Sequence, residues 1–196
     1  MMEIKNLTGI LPEIIFNELL VILQKRNLTK FQLAHLLSQC HHESVGWKTF
    51  EENLNYSAQS LLRVFKKRVV TLEKAEEIVS KGQKAIGDFV YGNRMGNDAN
   101  EGWLYRGRGS IQLTGKNNYK LFDTTVLENI IENPSLVKDK YKLTSAFWFF
   151  DSNKIWLLCN GDKVEDVKRV TLAVNGGTIG LTGRVDLFKK YCKILN

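Results

Sequence analysis

Three short segments carry most of the reactive side chains. The first is Cys40-His41-His42-Glu43-Ser44, the second Glu51-Glu52-Asn53-Leu54-Asn55-Tyr56-Ser57. The third is Tyr105-Arg106-Gly107-Arg108-Gly109-Ser110-Ile111-Gln112-Leu113-Thr114-Gly115, followed by Asn117, Asn118 and Tyr119. An inverting glycosidic hydrolysis needs two carboxylates that flank the scissile bond. One acid protonates the leaving oxygen, and a base roughly 6.5–9.5 Å away activates water on the opposite side. Glu43 and Glu52 are nine positions apart. On one helix they would lie on opposite faces, at about 100° per residue, so a shared site requires the chain to turn between them, and Gly46 offers that turn. Most of the 21 acidic residues must be solvated surface charges. Glu43 stands apart because it closes an otherwise apolar run beside two histidines and a cysteine. Partial burial there would keep it protonated as an acid. Glu51 competes with Glu52 for the second role, and spacing does not separate them.

The glycine-rich segment suits a ligand better than a core. Gly107 and Gly109 around Arg108 allow close backbone approach, while Gln112, Thr114, Asn117 and Asn118 supply neutral hydrogen-bonding groups. Trp47, Tyr56, Tyr91, Trp103, Tyr105 and Tyr119 add aromatic faces nearby. Sugars are bound by such combinations. A phosphate loop does not fit, because its lysine-serine or lysine-threonine end is missing. A metalloprotease site does not fit either: Gly46 stands where the second histidine of H-E-x-x-H belongs. His35 and His42, seven apart on a helix, would share a face about 10 Å apart along its axis, so they are expected as core or supporting histidines. The expectation is that no metal or other cofactor is used.

These segments need helices to hold them. Pro12 fits a first helical turn, with Ile14, Ile15, Leu19, Ile22 and Leu23 following at helical spacing. Thr29-Lys30-Phe31-Gln32 has the form of a capping box. The helix it opens should bury Phe31, Ala34, Leu37 and His41 on one face and stop near Gly46. Ser57 and Thr71 are further N-cap candidates. Later helices are expected over 142–150, 163–174 and 183–195, with one short hairpin around 104–113. Eight of the fifteen glycines lie between positions 82 and 115, marking the middle of the chain as its irregular part. The fold class expected is mainly α.

The ordered motifs resemble glycoside hydrolase family 19, the chitinase-like group, and especially its phage endolysin branch. The match runs through Ala34-His35, His42-Glu43-Ser44, Gly46-Trp47, Glu52 to Ser57, Tyr91 to Asn97, Tyr105 to Gly115 and Asn175-Gly176-Gly177, over roughly residues 30 to 185. The resemblance implies Glu43 as general acid, Glu52 as general base and Thr114 as a hydroxyl holding the attacking water. It also implies Gln112 and Asn118 as sugar-binding positions, Asn175 as a cleft residue and His42 as the neighbour shaping the acid's surroundings. Tyr56 and Arg108 join the expected substrate contacts. The implied fold is lysozyme-like, with two lobes flanking a substrate cleft, in a single catalytic domain over 1–196. Ser44 stands where plant chitinases have threonine, and the plant cysteine framework is absent. Both departures favour the endolysin branch and peptidoglycan over chitin. A lytic transglycosylase is the nearest rival, and it would give Glu52 no essential role.

The bulk composition agrees with such an enzyme. Hydrophobic residues make up 43% and charged residues 25% of the 196, enough to bury a core without staples. Cys40, Cys159 and Cys192 are few and far apart, so reduced thiols are expected. The net charge of +7 suits an acidic wall, an anionic membrane or nucleic acid. No nucleic-acid fold is recognisable, and the run Arg63, Lys66, Lys67, Arg68 is read as a helper on acidic wall or membrane phosphates. The N-terminus lacks the pattern of a signal peptide, and the apolar run at 19–23 is too short to span a bilayer. The expectation is therefore a monomer made in a bacterial host's cytoplasm, without stable membrane insertion, that acts on the wall after holin-dependent or lytic release.

Overall fold

The computed structural model describes residues 3–196. It is mainly helical, with ten α-helices among the described residues: α1 (Glu13–Leu23), α2 (Lys30–Glu43), α3 (Ala58–Val64), α4 (Leu72–Ser80), α5 (Gly82–Tyr91), α6 (Lys116–Asp123), α7 (Leu136–Asp139), α8 (Thr144–Ser152), α9 (Val164–Asn175) and α10 (Leu181–Ile194). Two 3-10 turns, Ile4–Leu7 and Ile155–Leu158, complete it. No described helix is long and apolar enough to cross a membrane.

The chain divides into two compact units. One contains the described residues through Phe50 together with Arg108–Gln112 and Val137–Asn196; the other contains Glu51–Gly107 and Leu113–Leu136. Each has its own core. In the first, Leu33, Leu36, Leu37 and Cys40 of α2 pack with Leu143, Phe147, Phe150, Val167, Val170, Phe188 and Tyr191. In the second, Leu54, Leu61, Val69, Ala75, Ile78, Ile86 and Val90 gather α3, α4 and α5.

Local signals act where they were expected. Thr29 Oγ1 accepts from Gln32 N at 3.2 Å while Gln32 Oε1 accepts from Thr29 N at 2.9 Å, which completes the capping box of α2. Ser57 and Thr71 cap α3 and α4 through their side chains. Pro12 stands one residue earlier than expected, at the N-cap of α1.

Two expectations change. The middle of helix α2 is buried all round: Leu33 through Cys40 are all inaccessible, His35, Ser38 and Gln39 included. Helices α8, α9 and α10 all pack on α2, so no face is left for solvent. The hairpin around 104–113 does not form. Gly109 and Gln112 take positive φ values of 76° and 56°, which break the extended path a strand needs.

Candidate active site

Glu43 is the last residue of the central helix, and the turn after it is unusual. Val45, Gly46 and Trp47 have φ values of 51°, 75° and 64°, three successive left-handed residues, two of them not glycine. This reversal ends α2 at Glu43, earlier than the stop expected near Gly46. Several bonds hold it. Ser44 Oγ donates to Cys40 O at 2.7 Å and accepts from Trp47 N at 3.0 Å, and Gly46 N donates to His41 O at 2.8 Å. Trp47 Nε1 donates to the Tyr191 hydroxyl at 3.0 Å, the same hydroxyl that meets His41 Nδ1 at 2.7 Å.

The Glu43 carboxylate is anchored by one charge. Arg184 Nη2 donates to Glu43 Oε1 at 2.5 Å, and Arg184 Nη1 donates to Gln39 Oε1 at 2.5 Å. Gln39 Nε2 in turn donates to Thr171 Oγ1 at 3.2 Å. The Arg184 side chain is only 2% exposed, whereas that of Glu43 keeps 20%. The carboxylate therefore faces solvent with a buried cation behind it. Among the described residues, nothing hydrogen-bonds to Glu43 Oε2. His42 lies against Gly180: a Cβ added there would meet His42 Nε2 at 2.2 Å, and Gly180 also has a φ of 74°. Burial first, then Arg184, lowers the His42 pKa, so its ring stays neutral near pH 7.

Three further predicted positions belong to this unit. Arg108 is buried at the start of a turn in which Gly109 N donates to Phe50 O at 2.9 Å and Ser110 N to Lys142 O at 2.9 Å. Gln112 donates through Nε2 to Gly109 O at 3.3 Å. Gly109 admits no side chain, because a Cβ would meet Ser145 Oγ at 2.4 Å. Asn175, the last residue of α9, is exposed before Gly176, whose φ is 67°.

In the other unit, Glu52 is held through both oxygens. The Tyr91 hydroxyl donates to Oε1 at 2.6 Å and the Gly107 amide to Oε2 at 3.3 Å, while Glu52 N donates to Gly107 O at 2.8 Å. Burial first, then the Glu52 charge, raises the Tyr91 pKa, which keeps that phenol a donor. Tyr56 is shifted in the same direction by the same causes. Glu51 has a different partner. It pairs with Arg106 Nη2 at 2.5 Å, and that guanidinium lies 3.6 Å from the Trp103 ring centroid. The adjacent acids are thus separated by contacts that spacing could not show.

The glycine-rich segment continues into α6. Gly115 N donates to Tyr105 O at 2.8 Å, and Asn118 Nδ2 donates to Thr114 O at 2.8 Å. Asn97 fastens the preceding loop: its Nδ2 donates to Tyr91 O at 2.9 Å and its Oδ1 accepts from Lys116 N at 2.8 Å. That loop follows directly on Tyr91, the last residue of α5 and the donor to Glu52.

The histidines have other partners than a metal. His35 stacks on Phe188 with centroids 4.2 Å apart, and its Nε2 meets Gly161 O at 2.9 Å. Among the described residues, no group of three or more His, Cys, Asp or Glu side chains is gathered to hold an ion.

Arg184, Gln39 and the bonding role of Tyr91 were not anticipated. One signal for Arg184 was available. Positions 184, 188, 191 and 195 follow helical spacing, and three of them are apolar, so the arginine interrupts a buried stripe.

No family model matches the chain. A glycosyl hydrolase family 19 domain-containing protein of Haemophilus influenzae is 34% identical over 165 residues, which is 83% of this chain and 79% of that protein. An acidic endochitinase of Petunia hybrida is 36% identical over 74 residues, 37% of this chain and 24% of the plant protein. An acidic 27 kDa endochitinase of Solanum lycopersicum is 27% identical over 158 residues, 63% of this chain and 61% of its own length. The long alignment to the bacterial relative, with the plant enzymes alongside it, shows that the chain belongs to glycoside hydrolase family 19 and is a chitinase-like glycosidase.

Proposed function

We propose that this glycosidase cleaves the β-1,4 bonds of peptidoglycan by inversion, in the manner of an endolysin, and so lyses bacterial walls. Glu43 is the general acid and Glu52 the general base. The observation that supports this division best is the contrast in their hydrogen bonding. Glu52 accepts from Tyr91 and Gly107 through both oxygens, the arrangement of a fixed acceptor that takes a proton from water. Glu43 is tied through Oε1 alone, leaving Oε2 to meet a leaving-group oxygen.

The remaining predicted residues act on substrate and water in this reading. Thr114 holds the attacking water, and Gln112, Asn118, Tyr56, Arg108 and Asn175 contact the glycan. His42, neutral and packed on Gly180, keeps the acid's flank dry. The enzyme works without a metal or other cofactor, as a monomer that reaches the wall after release from the cytoplasm.

The test is the chemistry of the ends released from purified peptidoglycan. Wild type should yield new reducing ends of inverted anomeric configuration. Glu43→Gln and Glu52→Gln should each lower the rate about 10²–10⁴-fold. Anhydro ends, or full activity in Glu52→Gln, would overturn the two-carboxylate reading in favour of a transglycosylase. Faster cleavage of chitin oligomers than of peptidoglycan would move the substrate to chitin, on which the endochitinases among the plant relatives act.

A further inference from the structure

The helix α5 ends at Tyr91, so its last carbonyls have no helical amide to accept from. One of them, Val90 O, accepts from two guanidinium groups, Arg68 Nη1 at 2.8 Å and Arg94 Nη1 at 3.1 Å. A helix C-terminus offers about half a negative charge, against two full positive ones here. The Arg68 guanidinium also lies 4.6 Å from the Phe89 ring centroid, which fixes its plane. Arg94 sits close enough to lower the Arg68 pKa, after burial, as expected of a like charge left unbalanced.

Three more cations adjoin this pair in the chain: Arg63 in the last turn of α3, then Lys66 and Lys67, all exposed. None of these five residues forms an ion pair among the described residues. Elsewhere in the same unit Lys74 and Lys81 pair with Glu77, Lys84 with Asp88, Arg106 with Glu51 and Lys116 with Glu101. The concentration of unneutralised charge at this one place calls for an external anion. Paired guanidinium forks suit phosphate oxygens in particular.

We propose that Arg63, Lys66, Lys67, Arg68 and Arg94 form a docking surface for an anionic phospholipid bilayer, with Arg68 and Arg94 taking headgroup phosphate. Val64 and Val70 choose the bilayer over a hydrated phosphate polymer. They are 52% and 83% exposed and are interleaved with the cations. A polymer in water offers such side chains no apolar surroundings, whereas the headgroup boundary of a bilayer does. The attachment is peripheral and is independent of which glycan the enzyme cuts.

Co-sedimentation of the full chain with vesicles tests this surface. Binding is expected to vesicles of phosphatidylcholine mixed with phosphatidylglycerol, to weaken with added salt, and to be absent from phosphatidylcholine alone. The double variant Lys66→Gln/Lys67→Gln should bind mixed vesicles weaker by on the order of tenfold, since each basic residue adds a comparable increment near the surface. Arg68→Gln/Arg94→Gln should lose at least as much. Should that pair unfold by uncapping α5, the lysine variant still decides the matter. Val70→Ser should weaken vesicle binding while leaving binding to soluble polyphosphate unchanged. Equal binding to neutral vesicles, or unaltered binding in the lysine variant, would overturn the proposal. So would retention on a phosphate-bearing wall polymer without any binding to vesicles.

Discussion

The two carboxylates assigned to catalysis are supported in opposite ways. Glu43 terminates α2, a helix whose middle is buried on every side, and is anchored by the buried guanidinium of Arg184. Glu52 lies in a loop and is held by a phenol and a backbone amide. The first depends on a charge inside a core, the second on neutral donors set by a loop and a helix end. One consequence is that disturbing Glu43 should cost fold and activity together, while disturbing Glu52 should cost activity almost alone.

Arg184→Met probes that contrast most strongly. It removes the cation but leaves Gln39 and the carboxylate without their donor, so a loss of about 3–5 kcal/mol in denaturant unfolding is expected, along with most activity. A stability change under about 1 kcal/mol would show that the pair is incidental to the fold. Tyr91→Phe is the counterpart in the other unit. It deletes only the hydroxyl that donates to Glu52 and should lower stability by about 0.5–1.5 kcal/mol. Its turnover should fall further than that stability loss explains, with KM little changed. Equal KM and turnover effects would point instead to a substrate contact.

A third test addresses the turn beside Glu43. Val45→Gly removes a β-branched side chain from the left-handed region and should stabilise the fold by up to about 1 kcal/mol, the relief of strain being partly offset by a freer unfolded chain. Activity should fall if the strained turn sets the aim of Glu43, and no matching change is expected from substitutions near Glu52.

The smallest effect is a pH dependence. His35, His41 and His42 all have pKa values below the ordinary 6.5, with burial the leading cause in each case. Lowered histidine values mean that the unfolded chain takes up protons first on acidification. Stability should therefore be full above about pH 6.5 and decline as pH falls through the window below it. All three residues lie on α2, so the decline should be reduced in His35→Gln. An unchanged unfolding midpoint between pH 7 and pH 5 would contradict it.

What could be foreseen from sequence was whatever depends on near neighbours. The capping box at Thr29 and the caps at Ser57 and Thr71 involve residues three positions apart, and all three form. The late helices, expected over 142–150, 163–174 and 183–195, lie within two residues of the observed α8, α9 and α10. Burial of the middle of α2 on every face was not foreseen, because it depends on how many helices pack around it. The Glu43–Arg184 and Glu52–Tyr91 bonds join residues 141 and 39 positions apart, beyond any local pattern. The turn at Gly109 to Gln112 forms where the sequence predicts a hairpin, because a left-handed glutamine leaves no compositional mark.

The burial of α2 has a consequence for how the enzyme would lose function on warming. A helix with no solvent face can expose its amides only when the surrounding unit opens, so α2 belongs to the slowest-exchanging cooperative group. The loop around Glu52 is only partly buried and is expected to open locally at lower free energy. Hydrogen exchange should then show two distinct clocks, with Glu52 released by local fluctuations well before Glu43 is freed by global unfolding.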